Sequence, residues 1–535
     1  MRGRKPILGQ ALTPGALRTF NRSVSVSVAS ILVSALLLAL APSALASSAK
    51  VGPLIPISDS DPLPPGCDGP NRDAEVEPTL AVDPRNPDRL VAAWMQGPRP
   101  APALSIVSAN SSDGGQSWDQ VLVPDNTLCT GGDLEEAIDP WLSYGPKGTV
   151  YLSSLAFTGV DPDLGVTVNR STDNGASWSA PVFAGGPSIK DKEALTADPV
   201  RKGVAYIVWR QAEMVPLVSS DFYFSRTDDG GRTWSDPVPI YETEPAAVFG
   251  AQVSEVVVTG PGRLVAVIST ELRFVPGEPR IVKFLALRSK DGGRSWSAPT
   301  EIAEAPFIQL EDPETNTPIK EGPHLFAADG GPDHGVFVAW QDPQSSTQSR
   351  IMVSSSKDGR EWSAPRLASK GAVAPFTPDL AVARNGTVGL RFYDLRNDVP
   401  GDSALTTDSW FRHSRDGGKS WAEAKLGRGF NLRTAPLQAT GALPGYQLGE
   451  YQGLVAVKHG FATAFARAKP AAKEGATDIF FTEIGVKPDP CQKAKKKLKR
   501  AKKKLKKAKK SGNKTKIKKA KKKLKKAKKQ KRKKC

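Results

Sequence analysis

The feature that most constrains the fold of this chain is a short motif that occurs six times along it. The motif starts with Ser or Thr, has Asp at its third position, continues with one or two Gly and ends with Trp, and the copies are spaced by roughly 60 residues. A repeat at such a spacing predicts an array of equal structural units. The Asp and Trp residues of the copies are Asp113 and Trp118, Asp173 and Trp178, Asp229 and Trp234, Asp291 and Trp296, Asp358 and Trp362, and Asp416 and Trp421.

The motif has the chemistry of a tight turn. Its Asp carboxylate is suited to accept hydrogen bonds from the backbone N–H groups that follow, its Gly permits a positive φ, and its Trp ring is suited to pack against a neighbouring layer. Segments of β-type composition flank each copy, three before it and one after it; 149–157 and 165–169 precede the second copy. Repeated four-stranded units of this kind predict an all-β fold, the β-propeller.

The six copies resemble the Asp-box (BNR) repeats of sialidase-like propellers. The resemblance covers residues 73–487 and implies a propeller of four-stranded blades for that segment. In the family, the Asp-box lies away from the active site and is shared by sialidases, other glycosidases and proteins that are not enzymes. The motif residues are therefore expected to be structural.

The number of blades is indicated by the innermost strands. Seven segments fit that role, one more than the motif copies, and they begin near residues 78, 140, 194, 256, 324, 379 and 453. The last unit has only three strands, and we expect the N-terminal segment 47–72, with its apolar stretch 51–57, to add a strand that closes the ring. Seven blades are favoured, and six, the number known in sialidases, is the alternative.

The N-terminus has the pattern of a signal peptide over residues 1–46. A basic stretch is followed by an apolar run at 31–41 and by Ala44-Leu45-Ala46, the small-x-small site of signal peptidase. Cleavage after Ala46 predicts a secreted or cell-surface protein with no remaining transmembrane span. The alternative is an uncleaved anchor, because residues 24–41 are nearly long enough to cross a bilayer.

The formal net charge of +19 comes from the ends of the chain. Residues 491–535 contain 28 Lys or Arg and no acidic residue, whereas residues 47–490 contain 41 basic and 55 acidic residues. Apolar residues at heptad spacing lie on both sides of Ser511-Gly512-Asn513, which predicts a Lys-rich α-helical hairpin over 488–535. A disordered polylysine tail is the alternative.

The tail's charge predicts its partners. A cationic rod on an exported protein is suited to bind polyanions such as cell-wall polymers, acidic polysaccharides or anionic lipids. Specific nucleic-acid binding is not expected, because the tail has no aromatic residues on which bases could stack.

The four Cys residues fall into two pairs by position. Cys67 and Cys129 flank the first unit of the body, and Cys491 and Cys535 bracket the tail. An exported protein can keep disulfides, so pairing within each set is the most economical prediction. A bond between Cys491 and Cys535 would close the base of the hairpin.

A ligand is expected at the face of the propeller opposite the motif turns, where innermost strands begin and second strands end. The residues predicted there are mainly carboxylates and arginines. They are Glu77, Asp139, Glu193, Glu255, His324, Asp379 and Glu450 at the strand starts, and Gln96, Arg210, Arg273, Asp342, Asp394, Arg396 and Arg467 at the second-strand ends.

The resemblance to sialidases implies roles for some of these residues. That family binds the carboxylate of its sugar with three Arg, uses a Tyr activated by a Glu as nucleophile and an Asp as acid and base. Its pattern implies a substrate-binding clamp formed by Arg210, Arg273 and Arg396. It also implies a catalytic set formed by Asp139, Glu450 and Tyr451. The sequence departs from the family before the first motif, where Pro53-Leu54-Ile55-Pro56 lacks the usual Arg.

Two classes of function follow. The first is an exported exo-glycosidase that acts on acidic, sialic-acid-type glycans, and the second is a non-catalytic propeller that recognises surface glycans or proteins. A third interpretation treats the charged ring as an ion-pair network without a ligand. No cofactor and no zinc site are expected, since the four His are scattered, although clustered carboxylates would suit a structural Ca²⁺.

Overall fold

The structure is a computed structural model. It describes residues 49–58, 60–67, 73–97, 105–158, 165–186, 189–214, 217–243, 251–271, 280–438, 444–469, 476–487 and 490–534. The segment predicted as a signal peptide lies outside these residues, as do Arg273 and Cys535.

Seven antiparallel sheets of four or five strands make up the body of the described chain. They are called sheets 1 to 7 in the order of their innermost strands along the sequence. The strands of sheets 1 to 3, from inner to outer, are Glu75–Val82, Leu90–Gln96, Ser105–Ser111 and Asp119–Leu122; Glu136–Tyr144, Val150–Phe157, Gly165–Ser171 and Val182–Phe183; and Ile189–Ala197, Ala205–Met214, Leu217–Thr227 and Val238–Tyr241.

The remaining four sheets repeat the same meander. The strands of sheets 4 to 6 are Ala251–Gly260, Arg263–Glu271, Ile281–Ser289 and Thr300–Pro306; Phe326–Gly331, Gly335–Ser345, Gln348–Ser356 and Arg366–Leu367; and Phe376–Val382, Val388–Asp394, Thr406–Ser414 and Ala422–Lys425, with Phe430–Asn431 beside the third strand of sheet 6. Sheet 7 contains Gly453–Val457, Gly460–Ala468 and Thr477–Gly485, and its outer strands are Lys50–Val51 and Ile55–Pro56.

The innermost strands contact one another in a closed cycle. Each innermost strand contacts that of the next sheet, and that of sheet 7 contacts that of sheet 1. Four-stranded meanders that meet along their innermost strands in this way form a β-propeller. The N-terminal strands complete sheet 7, since Val51 pairs with Ile484 and Ile55 pairs with Phe481.

Polar side chains on the innermost strands bond each sheet to the next. Thr79 Oγ1 accepts the Leu142 N–H, Ser143 Oγ accepts the Ala197 N–H, Thr196 Oγ1 donates to the Val256 carbonyl, and the carboxyls of Glu255, Asp329 and Asp379 accept from the backbone of Ala328, Val382 and Leu454. These six links, called the inter-sheet bonds below, join sheets 1 to 7 in order.

The junction between sheets 7 and 1 depends on close backbone approach. A Cβ at Gly453 would lie 2.8 Å from the Leu80 nitrogen and 3.0 Å from the Thr79 carbonyl carbon. Side chains larger than hydrogen do not fit at such distances, so Gly453 permits the last innermost strand to pack on the first.

The six motif copies form the turns between third and fourth strands, as the sequence predicts. In the fourth copy, Asp291 Oδ1 accepts the Ser295 N–H at 3.0 Å, and Asp291 Oδ2 accepts the Ser295 hydroxyl at 2.6 Å. These bonds lower the pKa of Asp291 to about 2. Gly292 and Gly293 have φ of 76° and 89°, the region that glycine adopts without strain.

The motif Trp residues link neighbouring sheets. The Trp296 ring of sheet 4 lies 5.3 Å from the Phe224 ring of sheet 3, and Trp178 Nε1 of sheet 2 donates to Ser108 Oγ of sheet 1 at 2.9 Å. Trp118 packs 5.1 Å from Phe481 of sheet 7. The motif therefore shapes a turn and also fixes that turn to the adjacent sheet.

Two insertions meet in a small separate sheet of three strands. Ile319–Lys320 comes from the segment between sheets 4 and 5, and Leu437–Gln438 and Gly445–Gln447 come from the segment between sheets 6 and 7. Ile319 pairs with Tyr446 in parallel register. This pairing brings two distant parts of the sequence to the same face of the propeller.

The C-terminal tail is a helical hairpin. Helix α1 (Pro490–Lys510) and helix α2 (Lys514–Lys534) pack against each other across Ser511-Gly512-Asn513. The apolar residues that the heptad spacing selects are buried or half-buried, and Ala494, Ala501, Ala520 and Ala527 are 7% exposed or less.

One disulfide lies within the described residues, between Cys67 and Cys129, the pair predicted for the first unit. The predicted bond between Cys491 and Cys535 involves a residue outside them. No helix in the described part of the chain is long and apolar enough to cross a membrane.

Candidate functional site

The innermost strands of sheets 1, 2, 3 and 6 begin with the same backbone irregularity. Their pairing register shifts at one position, and the residue there has a positive φ although it is not glycine: Glu77 (57°), Asp139 (54°), Lys192 (50°) and Thr377 (47°). Strained backbone of this kind is concentrated at functional sites, and a β-bulge changes the direction of a side chain. The repeated bulge thus identifies the face where the innermost strands begin as the candidate functional face.

Three of these bulge residues meet two others in a cluster of opposite charges, the ion cluster, which consists of Glu77, Asp139, Lys192, Lys320 and Glu450. Lys192 Nζ lies 3.1 Å from Asp139 Oδ2 and 2.6 Å from Glu450 Oε2. Lys320 Nζ lies 3.6 Å from Glu450 Oε1 and 3.9 Å from Glu77 Oε1. Glu450 therefore lies between the two ammonium groups.

The insertions supply two members of the ion cluster. Lys320 ends the strand of the first insertion, which pairs with Gly445–Gln447 of the second, and Glu450 follows that strand. The parallel pairing of Lys320 with Gln447 fixes the position of this lysine relative to Glu450. The cluster is thus assembled from sheets 1, 2 and 3 and from the small sheet above them.

Burial and neighbouring charges together shift the pKa values of Asp139 and Glu450 in opposite directions. Removal from water raises the pKa of Asp139 to about 7, and the nearby Glu77 and Glu450 add to this, while Lys192 opposes it. Burial also acts on Glu450, but Lys192, Lys320 and His324 outweigh it and hold the Glu450 pKa well below its usual range. At neutral pH, Asp139 can therefore hold a proton next to an ionised Glu450.

Tyr451 lies beside the ion cluster. Its hydroxyl donates to the Pro140 carbonyl oxygen at 3.2 Å, and its ring lies 5.5 Å from the Trp141 ring. Burial, followed by the charges of Glu77 and Asp139, raises the Tyr451 pKa well above its usual value. The phenol is therefore protonated at neutral pH in this arrangement.

Two spaces that share lining residues adjoin the ion cluster. The larger one is the central channel of about 450 Å³, lined by residues of all seven innermost strands together with Glu450 and Tyr451. The smaller one, called the side cavity, has a volume of about 30 Å³ and is lined by Asp139, Trp141, Lys192, Glu193, Ala194, Glu255, Leu325, Phe326 and Tyr451. The channel has the volume typical of small-molecule sites, whereas the side cavity is too small for a sugar ring.

The structure thus brings together Asp139, Glu450 and Tyr451, the three residues assigned as catalytic by the sequence. Asp139 and Glu450 share Lys192 as a partner, and both affect the ionisation of Tyr451. Whether the three act in catalysis stays a prediction.

The arginines assigned as a substrate clamp have other contacts. Arg210 Nη1 pairs with Asp191 Oδ2 at 3.0 Å. Arg396 Nε pairs with Asp394 Oδ2 at 2.5 Å, Arg396 Nη1 with Glu423 Oε1 at 2.8 Å, and the Arg396 guanidinium lies 3.9 Å from the centre of the Trp410 ring. These contacts do not join Arg210 to Arg396, and Arg273 lies outside the described residues.

The other residues predicted at strand starts have more varied environments. His324 is buried and stacks on Phe307 at 5.5 Å, and burial lowers its pKa to about 4. Glu255 and Asp379 form inter-sheet bonds. Glu193 lines the side cavity next to Lys192.

Sequence reasoning missed Lys192, Lys320 and the buried acid Glu321. Glu321 accepts the Leu310 N–H at 2.7 Å, and burial raises its pKa to about 8. A usable signal for the bulges was present, since Glu77, Asp139 and Thr377 each precede a proline, which cannot donate a ladder hydrogen bond. Lys320 had no comparable signal, because it lies in a long insertion.

No group of three or more His, Cys, Asp or Glu among the described residues is placed to hold a metal ion. The carboxylates of the ion cluster instead have lysines as partners.

No protein-family model matches this chain, and no curated protein matches it in sequence. Similar solved structures include a protein of unknown function from Dyadobacter fermentans, which is 15% identical over 82% of this chain and 100% of its own, with a TM-score of 0.43. The Hadza microbial sialidase is 16% identical over 66% of each chain, with a TM-score of 0.41. The Penicillium chrysogenum α-L-arabinanase is 17% identical over 64% of this chain and 94% of its own, with a TM-score of 0.42. Similarities of this strength identify neither a family nor an activity.

Proposed function

We propose that the protein is a glycoside hydrolase whose acid is Asp139 and whose ionised carboxylate is Glu450. The observation that carries the proposal is the pair itself. Both carboxyl groups lie within 3.1 Å of Lys192 Nζ, so their nearest oxygens are no more than about 6 Å apart, close enough to act on the same glycosidic bond. Asp139, with a pKa of about 7, keeps its proton up to about that pH, whereas Glu450 is ionised. An acid and an ionised carboxylate are the two roles that such chemistry requires.

In this mechanism Asp139 protonates the departing glycosidic oxygen. Tyr451 is the nucleophile, as the resemblance to sialidases implies. Its hydroxyl, which donates to the Pro140 carbonyl in the structure, must turn to Glu450, which accepts the phenolic proton when Tyr451 attacks the anomeric carbon. Water then cleaves the tyrosyl–sugar bond: Asp139 accepts a proton from that water, and Glu450 returns its proton to the departing Tyr451 oxygen, so all three residues return to their starting states. Lys192 stabilises the negative charge that develops on Asp139 when it gives up its proton.

A narrower form of the proposal is an exo-sialidase that acts on acidic glycans. It requires Arg210, Arg273 and Arg396 to bind the substrate carboxylate together. Arg210 would have to leave Asp191, and Arg396 would have to leave Asp394 and Glu423. The general glycosidase proposal does not depend on this clamp.

Hydrolysis of a panel of fluorogenic glycosides by the purified protein tests the proposal. Asp139→Asn should lower kcat/KM by about 100-fold or more, because an amide cannot protonate the leaving group. Glu450→Gln should have a comparable effect. The control is Asp342→Asn on the same face, where Asp342 pairs with Arg350 rather than with the ion cluster; it should retain activity. Unchanged turnover in Asp139→Asn would exclude the assigned acid.

The second candidate function is recognition of a glycan or protein without catalysis. It is favoured by the position of Lys192, which lies between Asp139 and Glu450 and satisfies both. A protein that binds glycans from an array but hydrolyses none of the fluorogenic substrates would establish this function instead.

We further propose that the blade number is seven and that the protein is exported and held at a polyanionic surface by its tail. Seven blades are supported by the cyclic contacts of seven innermost strands. Export is supported by the Cys67–Cys129 disulfide, since such bonds persist in oxidising compartments. Attachment is supported by the helical hairpin, whose lysines are mostly exposed.

A further inference from the structure

Glu193 differs from the other acids around the channel mouth. Glu193 is only 3% exposed, yet neither of its carboxyl oxygens has a hydrogen-bond partner among the described residues. By contrast, Glu255, which lines the same side cavity, accepts the Ala328 N–H at 3.1 Å. Buried polar groups are nearly always hydrogen-bonded, so an unpartnered buried carboxyl indicates that something else binds it.

The side cavity determines how large that partner can be. Its 30 Å³ is lined by Glu193 together with Asp139, Lys192, Trp141 and Tyr451. A water molecule needs about 10–15 Å³ of such space, so the cavity accepts about two non-hydrogen atoms. One substituent of a sugar fits there, while its ring remains in the adjoining channel, which shares Trp141, Glu255 and Tyr451 as lining residues.

The charges around the side cavity determine the chemistry of that partner. Both lysines of the ion cluster are already paired with two carboxylates each. Lys192 is the one basic residue that lines the side cavity, and the clamp arginines within the described chain pair elsewhere, Arg210 with Asp191 and Arg396 with Asp394. A substrate carboxylate in the side cavity would therefore be removed from water beside two buried carboxyl groups, Glu193 and Asp139, with no unpaired cation among the described lining residues, which is unfavourable.

We propose that Glu193 is a specificity-determining residue that binds a hydrogen-bond-donating substituent of the sugar, a hydroxyl or an ammonium group, in the side cavity. The substrate is accordingly a neutral or amino sugar rather than a carboxylate sugar. This inference rests on the proposed glycosidase function and narrows its substrate class. It replaces the acidic glycan of the exo-sialidase form with a neutral or amino sugar.

The first test compares methylumbelliferyl glycosides of three classes with the purified protein. We expect hydrolysis of a neutral glycoside, such as an α-L-arabinofuranoside or a β-galactoside, or of a glucosaminide, and no hydrolysis of an α-sialoside. Hydrolysis of the sialoside alone would overturn the assignment of Glu193 and leave the glycosidase function intact. Failure of every glycoside would instead contradict the proposed function.

The second test separates a specific role of Glu193 from a structural one. Glu193→Ala should lower kcat/KM for the accepted substrate at least about tenfold, and it should abolish the preference over the analogue that lacks the bound hydroxyl or amine. Glu193→Gln should keep activity on a hydroxyl-bearing substrate, since its amide oxygen still accepts a hydrogen bond, and should lose activity on an ammonium-bearing one. Asp342→Asn is the control and should retain the preference. Equal losses with the substrate and the analogue in Glu193→Ala would overturn the proposal.

Thermal unfolding supplies a readout that needs no turnover. Galactose, arabinose or glucosamine should raise the Tm of the wild-type protein by binding the native state and should not raise that of Glu193→Ala. The Tm of each variant without sugar also shows whether it is folded. A Tm increase with sialic acid that persists in Glu193→Ala would overturn the proposal, as would the absence of any shift with all three sugars.

Discussion

Single backbone angles place the charged side chains at the channel mouth. Glu77, Asp139 and Lys192 have left-handed φ values at bulges that recur in successive sheets. A residue other than glycine in this region costs on the order of 1–3 kcal/mol, which the surrounding fold must offset. The recurrence of that cost at one position in several sheets is consistent with a functional face, whereas the motif turns place glycine in the same region of φ.

These backbone angles explain which residues of the site could be predicted from the sequence and which could not. Asp139 and Glu450 were predicted because innermost strands of a propeller begin at one face. Lys192 was missed, because alternation along a regular strand assigns it and Glu193 to opposite faces. The bulge between Asp191 and Ala194 breaks that alternation, so both residues reach the same cavity.

The Asp residues of the motif should contribute to stability in proportion to the hydrogen bonds that they accept. Asp291→Ala removes the acceptor for the Ser295 N–H and hydroxyl and should lower the free energy of unfolding by about 1–2 kcal/mol, as for loss of a helix cap. Denaturant unfolding measures the change.

The shorter motif copy provides the matched control. Asp358 accepts the Arg360 N–H at 3.2 Å, and the short motif has no Ser or Thr at the place of Ser295. Asp358→Ala should therefore cost less than Asp291→Ala. Equal costs would show that the motif carboxylate is not what stabilises the turn.

At the scale of elements, the turns and the tail were predictable and the insertions were not. Local chemistry determines a turn or a heptad seam, so six turns and the two helices could be recognised from short stretches of sequence. The small sheet forms by pairing Ile319–Lys320 with Gly445–Gln447, more than a hundred residues away. No local pattern specifies such a pairing. The pairing nevertheless places Lys320 in the ion cluster, beside Glu450.

The tail should bind polyanions independently of the propeller. Its helices pack mainly through small residues such as Ala501 and Ala520, which leaves the lysines exposed to solvent. A chain that ends at Pro490 should lose binding to immobilised heparin or polyphosphate, and the full chain should be released as salt is raised, because the attraction is screened. Retention of the shortened chain would contradict attachment through the tail.

A second variant separates charge from shape in this test. Replacement of the tail lysines by Gln keeps good helix formers but removes the charge. This variant should also fail to bind, and circular dichroism should show whether the propeller of each variant remains folded.

At the scale of the whole molecule, buried acids hold part of the ring together. Asp329 and Asp379 form inter-sheet bonds between sheets 5, 6 and 7. Burial raises the pKa of Asp329 to about 6 and that of Asp379 to about 8. The native state therefore holds protons that the unfolded chain, with a usual Asp pKa near 3.9, releases at lower pH.

The stability of the protein should consequently fall as the pH rises. The contribution of these acids is fully present below pH about 4 and is lost as the pH rises to about 6 for Asp329 and about 8 for Asp379, at about 1.4 kcal/mol per pH unit for each group. Asp379→Asn should flatten the dependence between pH 6 and 8. Denaturant unfolding across this range measures it, and an unchanged slope in Asp379→Asn would contradict the assignment.

The propeller architecture followed from the spacing of one motif, and closure of the ring by the N-terminal segment was expected because the last unit has only three strands. Seven blades were favoured, and six remained the alternative because the last sheet has no motif and takes strands from both ends of the body. In the structure, seven innermost strands contact in a cycle, and Lys50 pairs with Gly485. Such a pairing depends on the completed ring rather than on nearby residues.

This pairing also governs when the molecule can finish folding during its synthesis. The strands around Val51 and Ile55 emerge early but have no partner until Thr477–Gly485 has been made. Contacts between residues so far apart in sequence form slowly, and an unpaired strand edge exposed in the meantime promotes aggregation. The ring therefore cannot close until Thr477–Gly485 has been translated, and the strand edges that meet there stay unpaired until then.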